Sequence, residues 1–182
     1  AYQGLGHGLE EDAADIRALL DIVPEALITA SCSKNFGLYR ERLGALWIKG
    51  SNAQAALRAR ATCMKIGRSM WSMPPDHGAS VVRTILDSPE LTASWQAELS
   101  TMRARLNAMR TELAHALPQL GSVARQTGMF ALLPLSREAV TELRVRYGIY
   151  MIENGRMNIA GLTSDNLPRF AAALAPYLSK GE

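Results

Sequence analysis

Lys34 lies in a run of groups that together can do covalent chemistry: Ser31-Cys32-Ser33-Lys34-Asn35-Phe36-Gly37-Leu38-Tyr39-Arg40-Glu41-Arg42-Leu43-Gly44. A short apolar stretch, Leu27-Ile28-Thr29-Ala30, precedes it, and a glycine-bearing loop follows. An amine taken partly out of water favours its neutral form, and that form condenses with a carbonyl. Ser31 and Ser33 supply hydroxyl donors beside Lys34, and Arg42 offers a planar fork suited to a phosphate. Hydroxyls, a fixed cation and an amine are what a phosphorylated aldehyde cofactor requires. A lysine taken singly is nearly always a solvated surface residue, so the pattern carries the reading and not the residue.

These groups need elements to position them. Residues 9–20 read as a helix, with Ile16, Leu19, Leu20 and Val23 at helical spacing and Glu10, Glu11 and Asp12 at its N-terminal end. Residues 27–30 and 45–48 read as buried strands, the first of them parallel. Helix, strand, loop, strand suggests an α/β layer. Ser51 and Gln54 form a capping box for a helix to about residue 66. Pro74-Pro75 breaks the chain before a helix at 79–86. Ser88-Pro89-Glu90 starts a helix that reaches about residue 117, long enough to bridge two domains. Beyond it the pattern is α+β: strands at 129–133, 149–152 and 157–160, a helix capped by Ser136 through residue 147, and a last helix from Thr163 to about 178. The domain boundary is expected inside the long helix, at 95–100, dividing the chain into 1–97 and 98–182.

The 182 residues are 48% hydrophobic and 20% charged, an ordinary globular composition for one domain or pieces of two. No apolar run approaches the roughly 18–20 residues of a membrane span, and no signal peptide opens the chain. Cys32 and Cys63 form neither a disulfide framework nor a metal-ligand pattern, so a reducing, cytoplasmic setting without a metal is expected. The net charge is +3 with the basic residues dispersed, which argues against nucleic acid as the main partner.

The string S-x-S-K-N-F-G-L-Y-x-E-R-x-G resembles the cofactor-lysine signature of the class I, fold-type I aminotransferases, in particular the aspartate and aromatic amino acid branch. The resemblance implies that Lys34 binds pyridoxal 5'-phosphate as a Schiff base, that Ser31 and Arg42 hold its phosphate, and that Ser33 lies close by. Ala1-Tyr2-Gln3-Gly4 resembles the end of the family's D-x-A-Y-Q-G motif, which gives Tyr2 a bond to the cofactor's phenolic oxygen. The motif's aspartate, partner of the pyridinium nitrogen, would fall two residues ahead of Ala1. The stretch from Arg68 to Ala79 resembles R-x-x-Y-S-N-P-P-x-x-G-A, whose arginine meets a substrate's distal carboxylate in the neighbouring subunit. Trp71 and Met73 stand where the family has Tyr and Asn, and this more apolar stretch leans toward aromatic substrates. His77 receives no catalytic role. Gln126-Thr127-Gly128-Met129-Phe130 resembles Q-x-G-M-F, with Phe130 lining the substrate pocket. Gly155-Arg156-Met157-Asn158-Ile159-Ala160-Gly161-Leu162 resembles the motif whose arginine clamps the α-carboxylate, here Arg156.

The segments keep the family's order across essentially the whole chain. The fold they imply is α/β: the C-terminal part of the large cofactor-binding domain, plus a small α+β domain, joined by the long helix. The activity they imply is ping-pong transamination between an aromatic amino acid, or aspartate or glutamate, and a 2-oxo acid. Active sites would be shared across a homodimer. A strict aspartate aminotransferase is the nearest alternative. The aminotransferase-like, cofactor-sensing domain of a transcription regulator is another, and would carry a winged-helix region upstream. The chain reads as a C-terminal fragment, expected to be inactive alone.

Overall fold

Local capping chemistry sets where the helices begin. The computed structural model describes residues 2–178, so Ala1 and residues 179–182 of the expectations above lie outside it. Helix α1 (Glu11–Ile22) leads into strands β1 (Ala26–Ser31) and β2 (Gly44–Lys49), followed by α2 (Ala53–Trp71), α3 (His77–Asp87) and the long α4 (Pro89–Ala116). After a 3-10 segment (Pro118–Arg125) come β3 (Phe130–Leu132), α5 (Arg137–Tyr147), β4 (Arg156–Asn158), a 3-10 turn (Ile159–Gly161) and α6 (Leu167–Leu178). The Ser88 hydroxyl accepts from the Leu91 N–H at 3.3 Å, and Ser136 caps α5 by accepting from the Ala139 N–H at 3.1 Å. His77 is the first residue of α3.

Several expectations are corrected. The cap of α2 is Asn52, whose Oδ1 accepts from the Ala55 N–H at 2.9 Å, and not Ser51. The first strand is antiparallel to the second, in register from Ala26 opposite Lys49 to Ser31 opposite Gly44. The segment joining them holds no helix and folds into a turn, with the Cys32 carbonyl accepting from Phe36 and Leu38, so it does not make the crossover that parallel strands require. Nor is the pair buried: Leu27, Leu46 and Trp47 are 67%, 46% and 55% exposed. Helix α2 packs on β2, and one helix cannot cover both faces of a two-stranded sheet. Residues 149–152 are not a strand. Gly148 turns left-handed at the end of α5 (φ 64°), and the Gly155 N–H donates to Ile152 O at 2.9 Å, bending this apolar stretch into a turn that feeds β4. Residues 163–166 form a turn ahead of α6, where the Thr163 hydroxyl accepts from the Asn166 N–H at 3.2 Å and Asn166 Oδ1 accepts from the Thr163 N–H at 2.8 Å.

The chain divides within α4. One unit takes Gly8–Leu99 with the residues up to Gly4, the other Ser100 onward with Leu5–His7. The well-packed core is in the second. Leu106, Met109 and Leu113 along α4, and Leu117 just past its end, follow at spacings of three and four residues and are each at most 4% exposed. They share that core with Val123, Leu133, Val140, Leu143, Ile159 and Leu174. Helices α5 and α6 pack together, and β3 contacts the 3-10 turn.

The β3–β4 pair is three residues long, with Phe130 opposite Asn158, Ala131 opposite Met157 and Leu132 opposite Arg156. Gly155 sets its entry. Its φ is +81°, and a Cβ there would lie 2.4 Å from Leu133 O, while its own carbonyl accepts from the Leu133 N–H at 3.0 Å. Gly155→Ala is expected to cost about 1–3 kcal/mol, read as a lowered Tm in thermal denaturation followed by circular dichroism. An unchanged Tm would mean that the turn does not depend on this conformation.

Candidate functional site

Two clusters of the expected residues form, one in each unit. In the first, β1 ends at Ser31, and the ladder runs one step further through the Cys32 N–H, which donates to Leu43 O at 3.0 Å. That step holds Ser31–Ser33 beside Leu43–Gly44. The Ser31 hydroxyl donates to the Ser33 hydroxyl at 2.9 Å and accepts from the Ser33 N–H at 3.2 Å. Ser33 is buried, at 5% exposure. The Cys32 carbonyl then accepts from both Phe36 and Leu38, and the Gly37 N–H donates to Lys34 O at 3.3 Å with Gly37 left-handed (φ +68°). Lys34 therefore sits in a tight, self-bonded turn and not in an extended loop.

The half-buried Lys34 carries its ammonium 4.6 Å from the centroid of the Tyr39 ring and 5.8 Å from that of Tyr2, an arrangement that attracts a cation. Tyr2 is steadied by its neighbours: Gln3 Nε2 donates to Leu9 O at 3.1 Å, and the Gly4 N–H donates to Asp12 Oδ2 at 2.8 Å. Arg42 is exposed and left-handed (φ 50°), and its guanidinium donates to Tyr39 O at 3.0 Å. A left-handed arginine is strained by about 1–3 kcal/mol. The start of α3 lies against this stretch so closely that a Cβ on Gly78 would come within 2.9 Å of Glu41 Cβ. Burial pushes the Cys32 thiol up from its ordinary range.

Arg68 is in the last turn of α2, exposed. The helix stops just after it, where Ser72 turns left-handed (φ 59°) and its N–H donates to Arg68 O at 2.8 Å. Among the described residues, no hydrogen bond, ion pair or ring contact links the Arg68 side chain to the Lys34 turn. Trp71 and Met73 are 63% and 81% exposed.

In the second unit, Arg156 opens β4 and is exposed, as are Leu132 and Asn158, while Ala131 and Met157 face inward. This two-residue alternation puts Phe130 and Arg156 on one face as a diagonal cross-strand pair. The Arg156 guanidinium carbon lies 3.9 Å from the Phe130 ring centroid. The face opens into a groove of about 490 Å³, lined by Phe130, Arg144, Tyr150, Ile152 and Arg156 among others, within the range of small-molecule sites. Apolar walls with a guanidinium between them suit a carboxylate carried on an apolar body.

Two residues that position these clusters, Trp95 and Arg110, were not singled out from sequence. Trp95 of α4 stacks on Phe36 (centroids 4.4 Å apart, planes at 4°), and its indole N–H donates to Asn35 O at 2.7 Å, pinning the Lys34 turn. Asn35 Oδ1 is buried with no hydrogen-bond partner among the described residues. Arg110 is 1% exposed. Its guanidinium donates to Val123 O (3.3 Å), Thr127 O (3.1 Å), Gly128 O (2.8 Å) and Phe130 O (2.7 Å). Desolvation draws this arginine below its ordinary pKa. The signal for Arg110 was present: it falls four residues after Leu106 and three before Leu113, on the apolar stripe of α4.

Comparison with known proteins shows the family and the fold. The family model for aminotransferase class I and II matches residues 1–174. The tyrosine aminotransferase of Rhizobium meliloti (strain 1021) is 54% identical over 166 residues, 89% of this chain and 43% of that protein. The aspartate aminotransferase of Escherichia coli (strain K12) is 40% identical over 184 residues, 98% of this chain and 46% of that one. Among solved structures, the aromatic-amino-acid aminotransferase of Burkholderia pseudomallei, covalently bound to pyridoxal phosphate, matches with a TM-score of 0.93 at 38% identity, over 98% of this chain and 46% of that one. The chain thus spans less than half the length of these relatives.

Proposed function

Since the chain belongs to the class I and II aminotransferases, we propose that the full-length protein is a pyridoxal-phosphate-dependent transaminase. It exchanges amino groups between aromatic amino acids, with aspartate and glutamate also accepted, and 2-oxo acids. The observation that carries the reading is the Lys34 turn: an ammonium beside two tyrosine rings, directly after a paired set of serine hydroxyls. The donor set fits the cofactor. Lys34 supplies the amine for its aldehyde, Ser31, Ser33 and Arg42 supply donors for its phosphate, and Tyr2 supplies a hydroxyl for its phenolic oxygen. Bound there, pyridoxal phosphate stores the negative charge that develops at the substrate's α-carbon.

With the cofactor bound, Lys34 would be the acid–base group, its Nζ taking up the proton released from the substrate α-carbon. Arg156 holds the α-carboxylate common to every substrate, with the Phe130 ring against its guanidinium. Arg68 serves the neighbouring subunit of a homodimer, meeting a distal carboxylate. Its exposure at the end of α2 favours a role outside its own unit. We place the boundary between large and small domains within α4, near residue 97. Both thiols are free, which favours the reducing, cytoplasmic setting expected from sequence. No helix among the described residues is long and apolar enough to cross a membrane.

The preference for aromatic substrates is supported by Trp71 and Met73 and by the tyrosine aminotransferase relative at 54% identity. The aspartate aminotransferase relative at 40% identity favours a second reading, a strict aspartate enzyme. Steady-state kinetics of the full-length protein on tyrosine, phenylalanine and aspartate separate the two. Tyrosine and phenylalanine are expected to be turned over with kcat/KM at least equal to that for aspartate. Negligible turnover of both aromatic amino acids would leave the aspartate enzyme.

A further inference from the structure

A buried arginine with no carboxylate paired to it among the described residues calls for explanation. Removing a guanidinium from water is costly, and buried arginines are ordinarily paired with an anion. Arg110 is buried at 1% exposure, yet its four hydrogen bonds all go to backbone carbonyls, and three of those, Thr127, Gly128 and Phe130, belong to one short stretch of chain. That stretch enters β3 through left-handed Gly128 (φ +83°). The sheet it enters is only three residues deep, too short to fix its own position. The shortest of the four bonds, 2.7 Å, is to the carbonyl of Phe130. The Phe130 ring in turn lies 3.9 Å from the Arg156 guanidinium.

We propose that Arg110 is a positioning residue for carboxylate recognition: a buried cation that gathers the 127–130 carbonyls and so fixes the Phe130 ring against which Arg156 is held. The inference rests on Arg156 being the carboxylate clamp. Arg110 touches no substrate. Three of the contacts converge on one nitrogen, Nη2, while Nη1 reaches Val123 O on the other arm of the fork, so the planar group is anchored at two points, whereas a lysine ammonium offers a single point of attachment on a flexible stem. A small displacement of Phe130 would free the Arg156 fork to rotate, and misplacement of an orienting group by about 1 Å can cost roughly a hundredfold. Aromatic contact with a guanidinium also preserves the face of the fork while leaving its edge N–H groups for a carboxylate.

The test is a double-mutant cycle on the full-length holoenzyme, with the Kd of 3-phenylpropionate, a monocarboxylate on an aromatic body, as readout. Arg110→Lys is expected to weaken binding by about tenfold to a hundredfold, with the cofactor's visible absorbance unchanged. In an Arg156→Gln background the same substitution is expected to add nothing, because the fork it positions is gone. Equal weakening in both backgrounds would mean that Arg110 acts on the fold at large, and unchanged affinity on Arg110→Lys with Arg156 intact would mean that Phe130 does not need it. Either result overturns the proposal. If Arg156→Gln alone leaves the affinity untouched, the clamp reading has failed, a result distinct from failure of the relay. Should Arg110→Lys not purify folded, Arg110→Gln, whose amide can donate to two of the carbonyls, is read by the same criteria.

Discussion

Lys34→Ala in the full-length protein is expected to lower kcat for transamination of tyrosine with 2-oxoglutarate by roughly 10⁴-fold, the upper range for loss of a positioned acid–base group, and to abolish the visible absorbance of lysine-bound cofactor. The geometry gives the reason. Lys34 is half-buried in a bonded turn: its carbonyl accepts from Gly37, and its ammonium is 4.6 Å from the Tyr39 ring centroid. Among the described residues, no other amine directly follows the Ser31–Ser33 hydroxyl pair. Lys34→Arg separates chemistry from packing, since a guanidinium keeps the charge and the contact with Tyr39 but cannot condense with the aldehyde. It is expected to be as inactive as the alanine variant while matching the parent in Tm. An alanine variant with its visible absorbance intact would remove Lys34 from its role.

The second large effect concerns Arg156. Removing one partner of a hydrogen-bonded charge pair costs about 2–5 kcal/mol. Arg156→Gln is therefore expected to lower kcat/KM by about 30-fold to 4000-fold on conversion at 1.4 kcal/mol per decade. The loss should be similar for tyrosine and for aspartate, because the α-carboxylate is common to both. Arg156→Lys should recover only part of it, since a point charge cannot reproduce the two-pronged fork. Steady-state kinetics on both substrates are the measurement. A loss confined to aspartate would reassign Arg156 to the distal carboxylate and leave the α-carboxylate to another cation. Arg144 in the same groove would be the first candidate.

What the sequence made legible differs between the halves of the chain for physical reasons. Capping residues and helical periodicity are local, so α4 and α5 start where Ser88 and Ser136 indicate. The cap of α2 was misassigned by one residue because Ser51 and Asn52 are adjacent cap formers, and only the extended backbone at Asn52 (φ -155°) decides between them. Strand direction and burial are not local. An apolar run such as Leu27-Ile28-Thr29-Ala30 reads the same for parallel and antiparallel partners, and it does not say whether anything covers Leu27. Residues 149–152 were apolar enough for a strand, yet left-handed turns at Gly148 and Gly155 enclose them.

The site shows the same division. The chemical groups could be placed along the chain because their order survives in short contiguous strings. Their supports could not. Trp95 lies sixty residues from the Asn35 carbonyl it bonds, and Arg110, although its place on the apolar stripe of α4 marks it as buried, shows what it holds only once its four carbonyls are seen. Tyr39 was part of the quoted string, but its ring beside the Lys34 ammonium and its carbonyl on Arg42 emerge only in three dimensions.

The central claim is that Lys34 is the cofactor's attachment point. Its most direct test is borohydride reduction of the full-length holoenzyme, proteolysis, and mass spectrometry of the lysine-containing peptides. The expected result is one peptide carrying the reduced pyridoxal phosphate adduct, with fragmentation assigning it to Lys34. An adduct on Lys49 or Lys65 instead, or no adduct on this chain from protein that transaminates, would contradict the account.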